Sequence, residues 1–255
     1  MNERDAGTLL GVPIDRKSLS TATAEALATI ERRGSPVIFA CANPHSLVTA
    51  QTDPTFKSAL NNADFVVADG VGVTIMARFA GVKVGPRITG TDYFFSLMKA
   101  LQERGPANVY FFGSSRNVLN LISERMRREF PRLNVCGTVS PPFRPWSTEE
   151  DAAMVASIND ADPDVLWVGM TAPKQEKWVE ANRHRLHAPV IASIGAVFDF
   201  YAGINPRAPQ WMCTLGIEWL YRMLREPRRM WRRTFISAPK FVALVIWRHV
   251  LRIGT

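Results

Sequence analysis

Phe65–Gly72 reads FVVADGVG, and the fold turns on how this stretch is interpreted. Phe65 to Asp69 is a short, nearly continuous apolar run, which suits a strand buried on both faces of a parallel sheet. Asp69-Gly70 ends the run, and a helical pattern over Gly72–Ala80 follows at once. A strand that feeds directly into a helix is half of a βαβ unit. The same alternation extends outward in both directions. Apolar or aromatic runs at Pro36–Ala42, Asn108–Gly113, Asn134–Val139, Val165–Met170 and Val190–Val197 predict further strands. The stretches Ser18–Arg33, Asp92–Arg104, Ser115–Phe130, Thr148–Asn159 and Lys174–Leu186 predict the helices between them. The expected fold class is therefore α/β: a Rossmann-like parallel sheet with flanking helices.

The chain has 255 residues, 47% hydrophobic and 21% charged, enough to bury a full core and too apolar for a disordered protein. After about Asn205 the pattern is helical only and strongly basic. The sequence thus divides into an α/β core, residues 1–205, and a helical basic C-terminal appendage, residues 206–255. The net charge of +8 points to anionic partners, whether nucleic acid, nucleotide phosphate or acidic lipid. Cys41, Cys136 and Cys213 form no CxxC pair, which supports neither a disulfide framework nor a zinc site and fits a reducing cytoplasm. The N-terminal MNERDAGTLLGV has no apolar h-region, so no secretory signal is expected. The apolar FVALVIW, Phe241–Trp247, is too short to cross a bilayer as a helix.

In open parallel sheets, ligands bind beyond the carboxyl ends of the strands. The residues placed there are Asn43-Pro44-His45, Asp69-Gly70-Val71-Gly72, Gly113-Ser114-Ser115, Thr171 to Glu176 and Phe198-Asp199-Phe200. Small, turn-forming and ionisable side chains thus gather on one edge. Gly70 and Gly72 let backbone N–H groups approach an anion at a helix start. Asp69 is either a general base or the cap of the following helix. Arg87 is either a phosphate clamp or a solvated charge. Lys174 and Gln175 lie at a positive helix end that suits a diphosphate or a sugar. His45 in a turn reads as structural or as orienting a substrate.

Gly70-x-Gly72 lacks the third glycine of a dinucleotide fingerprint, since Ile75 holds its place, and this weighs against an oxidoreductase. Asp160-Ala161-Asp162 has the form of a metal-holding DxD, but it precedes a strand and belongs at the opposite edge, so no metal is expected there. Arg222, Arg225, Arg229 and Arg232 have spacings that line one helix face, with a break expected at Pro227. Together with Trp219, Met230 and Trp231 they form a basic amphipathic element suited to an anionic membrane surface rather than to nucleic acid.

The ordered set Asn43-Pro44, Asp69-Gly70-Val71-Gly72, Arg87-Ile88-Thr89-Gly90, Pro173-Lys174-Gln175-Glu176, Phe198-Asp199-Phe200-Tyr201-Ala202-Gly203, Arg207-Ala208-Pro209 and Gly216-Ile217-Glu218-Trp219-Leu220-Tyr221-Arg222 resembles the WecG/TagA/CpsF family of glycosyltransferases. The resemblance implies a GT-E type core with a basic appendage, peripheral on the cytoplasmic face of the cell membrane. It also implies inverting, metal-independent hexosyl transfer without a cofactor, from a UDP-sugar donor to a polyprenyl-diphosphate-linked acceptor, in cell-surface polysaccharide or exopolysaccharide synthesis. N-acetylmannosamine, its uronic acid and glucose are among the sugars such enzymes move, and a homo-oligomer is compatible with this reading. By the same resemblance, Asp69 is the base, Asn43 and Gln175 position donor or acceptor, Arg87 holds phosphate and Asp199 contacts the nucleoside. Arg222, Arg229 and Arg232 would reach the acceptor or the leaving diphosphate. Two positions depart from the family pattern: Cys41, where threonine is common, and Met170-Thr171-Ala172, where the turn is usually richer in glycine.

Overall fold

The computed structural model describes residues 4–206, 208–209, 211–212 and 216–251. Arg207, Cys213 and Arg252 lie outside that range, as does the side chain of Arg229. The chain opens with an antiparallel hairpin, β1 (Ala6–Leu9) and β2 (Val12–Asp15), followed by α1 (Leu19–Arg32). The core then runs β3 (Val37–Ala42), α2 (Pro44–Thr49), α3 (Pro54–Asn62), β4 (Phe65–Ala68), α4 (Val71–Phe79), α5 (Gly90–Arg104), β5 (Ala107–Gly113) and α6 (Arg116–Glu129). It continues through β6 (Leu133–Val139), α7 (Thr148–Asp160), β7 (Val165–Gly169), α8 (Lys174–Asn182), β8 (Val190–Ser193) and α9 (Val197–Tyr201). Strands β3 to β8 form one parallel sheet in the order β4-β3-β8-β7-β5-β6.

Each of the six apolar runs became one of these strands; all except the edge strand β6, which is mostly half-buried or exposed, are covered on both faces. Successive residues alternate between two packed layers. Ile38, Ala40 and Ala42 of β3 join the layer that holds Leu166 and Val168 of β7. Phe39 joins the other, with Val165 and Trp167. The first layer is closed by the N-terminal hairpin, α2, α3, α7 and α8; the second by α1, α5, α6 and α9. Full burial of side chains of this size contributes roughly 1.5–3 kcal/mol each.

Strand β5 continues outward to β6, whereas β7 returns inward to β8. The chain therefore leaves neighbouring strands in opposite directions between β5 and β7, which opens a crevice at their carboxyl ends. Gly113 pairs with Gly169 across that point. Gly113 has φ +130°, and a Cβ there would meet the Gly169 carbonyl oxygen at 2.5 Å. Only glycine permits this approach.

At the amino edge, Asp64 accepts from the Ile38 N–H at 2.9 Å, and Asp164 accepts from the Asn108 N–H at 2.8 Å. Arg33 bridges Asp162 at 2.8 Å and Asp164 at 3.1 Å. Asp160-Ala161-Asp162 thus closes α7 on the edge away from the crevice, where its position before a strand had placed it.

Beyond α9 the appendage forms α10 (Glu218–Arg225), α11 (Pro227–Trp231), a π-helical segment Arg232–Ser237, α12 (Ala238–Val245) and a second π-helical segment Ile246–Val250. The break at Pro227 is present. Helix α12 docks on α2, with Phe241 and Val245 sunk into the first layer. Phe241 and Val245 of FVALVIW are therefore core, while Val242 and Trp247 remain exposed. Among the described residues, no helix is long and apolar enough to cross a membrane.

Candidate active site

Asp69 follows β4 directly, and its N–H donates to the Ala42 carbonyl at 2.9 Å, which fixes it beside the end of β3. The cap of α4 is Gly70, at φ +105°, and no side chain caps that helix. The capping reading of Asp69 is therefore set aside. Its carboxylate lies at the junction of two clefts, one of about 100 Å³ that includes Cys41, Asn43, Thr89, Gln175, Glu176 and Gly195. The other, of about 390 Å³, includes Pro44, His45, Gly70, Gly72, Arg87, Trp219 and Met230. Asn43, Asp69, Glu218, Arg222 and Arg233 line both.

Burial pushes the Asp69 carboxyl up to about 6, and Glu218 adds to the rise while Arg222 and Arg87 oppose it. Such a group is ionised at neutral pH yet basic enough to take a proton. Arg87 stands 4.0 Å from Glu218, a loose pairing that ties the loop before α5 to α10. Arg222 lies over the Phe200 ring at 5.5 Å, and its Nε and Nη2 are buried with no hydrogen-bond acceptor. Unsatisfied guanidinium donors inside a protein are costly, and a ligand anion would satisfy them.

A third cleft, of about 580 Å³, opens at the β5/β7 crossover point. Ser114, Ser115, Phe143, Lys174, Asp199 and Asn205 line it. Ser115 caps α6 through Val118, and the Lys174 ammonium sits 3.9 Å from the centre of the Trp146 ring. Met170, Thr171, Gly195 and Ala196 are shared with the cleft that reaches Asp69, so the two are continuous. Gly113 lies at the strand end beneath this crevice, buried against Gly169.

A family model described as the glycosyl transferase WecG/TagA/CpsF family matches residues 7–253. The chain belongs to the WecG/TagA/CpsF family. It is accordingly a glycosyltransferase. It is 32% identical over 206 residues to an N-acetylglucosaminyldiphosphoundecaprenol N-acetyl-beta-D-mannosaminyltransferase of Bacillus spizizenii, covering 80% of this chain and 77% of that protein. Proteins of the same name from Bacillus subtilis and Staphylococcus aureus are each 27% identical, over 82% and 75% of this chain and 78% and 73% of theirs.

Within this WecG/TagA/CpsF fold, the other residues singled out from sequence fall as follows. The Asn43 side chain caps α2 by accepting from the Ser46 N–H at 3.0 Å, which leaves its amide nitrogen unused by the cap. His45 Nδ1 lies 2.8 Å from Ser237 Oγ and so ties α2 to the appendage. Burial, then Arg233, holds its imidazole below the ordinary range, hence neutral. Among the appendage arginines, Arg222 enters the site, whereas Arg232 is exposed and lines none of the three clefts. Arg233 takes the inward place. Arg233 stands eleven residues, about three α-helical turns, after Arg222, whereas Arg232 falls roughly 80° off that face.

Sequence reasoning missed Glu218, Arg233 and Glu176 as site residues. Glu218 could have been found, since it lies in the Gly216–Arg222 motif one helical turn before Arg222. Arg233 could have been found as well, since it stands about three helical turns after Arg222.

Proposed function

We propose that the enzyme transfers a sugar from a UDP-sugar to a polyprenyl-diphosphate-linked sugar, with inversion and without a metal ion. The carrying observation is the position of Asp69 between two continuous spaces. The nucleoside diphosphate occupies the 580 Å³ cleft, with Lys174 by the phosphates and Asp199 by the nucleoside. This presents the sugar toward Asp69 through the passage at Gly195 and Ala196. The acceptor enters from the 390 Å³ cleft, whose Val71, Trp219 and Met230 suit the apolar part of a lipid carrier. Asp69 deprotonates the acceptor hydroxyl, which attacks the anomeric carbon from the face opposite the diphosphate. Lys174 and the amino end of α8 offset the charge that develops on the departing diphosphate, while Arg87, Arg222 and Arg233 face the diphosphate of the acceptor. Gln175 and Asn43 orient the sugar.

The names borne by the relatives support an N-acetylmannosaminyl group as donor sugar and an N-acetylglucosaminyl-diphosphate lipid as acceptor. The appendage supports work at an anionic membrane surface, because Trp219, Leu224, Trp231, Phe235 and Trp247 are exposed among arginines. The product would enter cell-surface polysaccharide.

The test is UDP release across a panel of UDP-sugars with a short-chain polyprenyl-diphosphate-sugar acceptor, with and without EDTA. Acceptor-dependent release from one donor, insensitive to EDTA and lost in Asp69→Asn, is the expected result. An Asp69→Asn enzyme with near wild-type turnover, or a full loss in EDTA, would overturn it.

A further inference from the structure

Two neighbouring side chains at the start of α8 are buried without a full set of partners. Gln175 and Glu176 are each 4% exposed and both line the cleft that reaches Asp69. Gln175 Nε2 donates to Glu176 Oε1 at 2.8 Å, which leaves Gln175 Oε1 and Glu176 Oε2 with no hydrogen-bond partner. Among the described residues, Glu176 has no salt-bridge cation. A carboxylate buried with only the Gln175 amide and its own backbone N–H as partners, and no cation, is disfavoured in its ionised form, so the group favours keeping its proton. Burial accordingly pushes Glu176 up to about 7. A neutral carboxyl has one O–H to donate, and Gln175 Oε1 beside it has a free acceptor site. The terminal torsions of both side chains are broad, so a small turn brings both groups onto the cleft they line.

We propose that Glu176 and Gln175 form a donor–acceptor pair that holds a substituent of the transferred sugar offering an N–H or O–H beside an acceptor oxygen, as an acetamido group does, with Glu176 serving in its neutral form. This rests on the transferase reading above and names how that site selects its donor. The titratable and charged groups around the same cleft are Cys41 in β3, Asp69 after β4, Asp92 in α5, Glu218 and Arg222 in α10 and Arg233 in the π-helical segment. The Cys41 thiol is pushed well up by burial and then by Asp69, Glu176 and Asp92, so it stays protonated and supplies no neutralising charge.

Two titrations of opposite consequence then bound the activity. Asp69 must be ionised, so turnover rises as pH increases through about 6. Glu176 must be neutral, so affinity for the donor falls as pH increases through about 7. The test measures kcat and the donor KM against pH for wild type and Glu176→Gln. Wild type should show donor KM rising on the alkaline side, and the variant, whose amide cannot ionise, should lose that rise while keeping the acid limb. Glu176→Ala should raise donor KM on the order of tenfold with a smaller change in kcat. A donor lacking the acetamido group should be insensitive to the substitution. An alkaline rise that persists in Glu176→Gln, or is absent from wild type, overturns the inference while acceptor-dependent turnover leaves the transferase reading standing. A readout independent of turnover is the infrared carbonyl band of a protonated buried carboxyl in Asp69→Asn, at a pH between the two titrations. Its presence, and its loss on adding Glu176→Gln, is expected; its absence overturns the inference without any need for the second variant to fold.

Discussion

The two edges of the central sheet carry the same residue types and treat them in opposite ways. At the amino edge, Asp64 and Asp164 each accept a backbone N–H, and Asp164 also pairs with Arg33. In the hairpin beside it, Asp15 receives both Arg4 and the Val66 N–H at 2.6 Å. At the carboxyl edge, the Asp69 carboxylate accepts no hydrogen bond from the described residues, Gln175 and Glu176 are half-satisfied, and Arg222 keeps two buried donors unused. One edge has its polar groups matched to each other. The other holds them ready for something that arrives later. Apart from the Tyr93 hydroxyl and the Trp167 indole N–H in the second layer, the unmet buried polar groups among the described residues gather at this edge, and such a gathering marks where stability is given up for chemistry.

The comparison breaks most visibly at Asp69. Replacing it by Asn should lower turnover by about 10²–10⁴-fold, the usual contribution of a general base. The same change should stabilise the fold. An acid whose folded pKa is raised is destabilising when ionised, and that cost develops as pH rises from the ordinary 3.8 to about 6 and persists above. Asp69→Asn should therefore gain roughly 1–3 kcal/mol at neutral pH, read from denaturant midpoints, and little below pH ~4. A variant that is inactive and less stable at neutral pH would mean that Asp69 is structural after all.

Arg222→Ala comes next. It removes the unmatched donors that face the clefts, and should cost roughly 10²-fold in turnover with no loss of melting temperature. Lys in its place should recover only part, because an ammonium does not reproduce the planar fork. Equal rescue by Lys would reduce the role to a point charge.

At the amino edge the signs reverse. Asp164→Ala leaves the Asn108 N–H without its acceptor and Arg33 without one carboxylate, which should cost about 1–3 kcal/mol of stability. Turnover of the remaining folded enzyme should be unchanged. A fall in kcat at full folding would show that the two edges are coupled through the sheet.

The contrast between edges also explains what could be read in advance. The sheet strands were legible because all except the edge strand β6 are buried on both faces, and the major helices because their apolar spacing and caps, such as Thr89 with Asp92 and Ser147 with Glu150, lie within a few residues. The N-terminal hairpin was missed. Its two strands are short, and one contains Pro13, so they carry little local signal and exist because Leu9, Val12 and Ile14 join the first layer. Helices α2 and α3 were passed over although Asn43-Pro44 and Asp53-Pro54 are cap-and-proline starts, with each Asx side chain accepting from the residue three further on. The position of the site was legible from where strands end. Its electrostatics were not, since the rise at Asp69 comes from burial and from Glu218, with Arg222 opposing it, and the last two lie some 150 residues away in sequence.

The smallest expected effect tests the edge assignment itself. Asp160-Ala161-Asp162 has the spacing of a metal-holding DxD, and only its place in the fold argues otherwise. Asp162 sits at φ +41°, pairs with Arg33, and both side chains are largely exposed. Asn tolerates that backbone conformation, and an exposed ion pair contributes about 0–1 kcal/mol. Asp162→Asn should therefore shift stability within ~0.5 kcal/mol and leave kcat and donor KM at wild-type values, with or without added Mg²⁺ or Mn²⁺. A divalent-ion response present in wild type and lost in this variant would place chemistry at the amino edge, and the division of labour between the two ends of the sheet would fail with it.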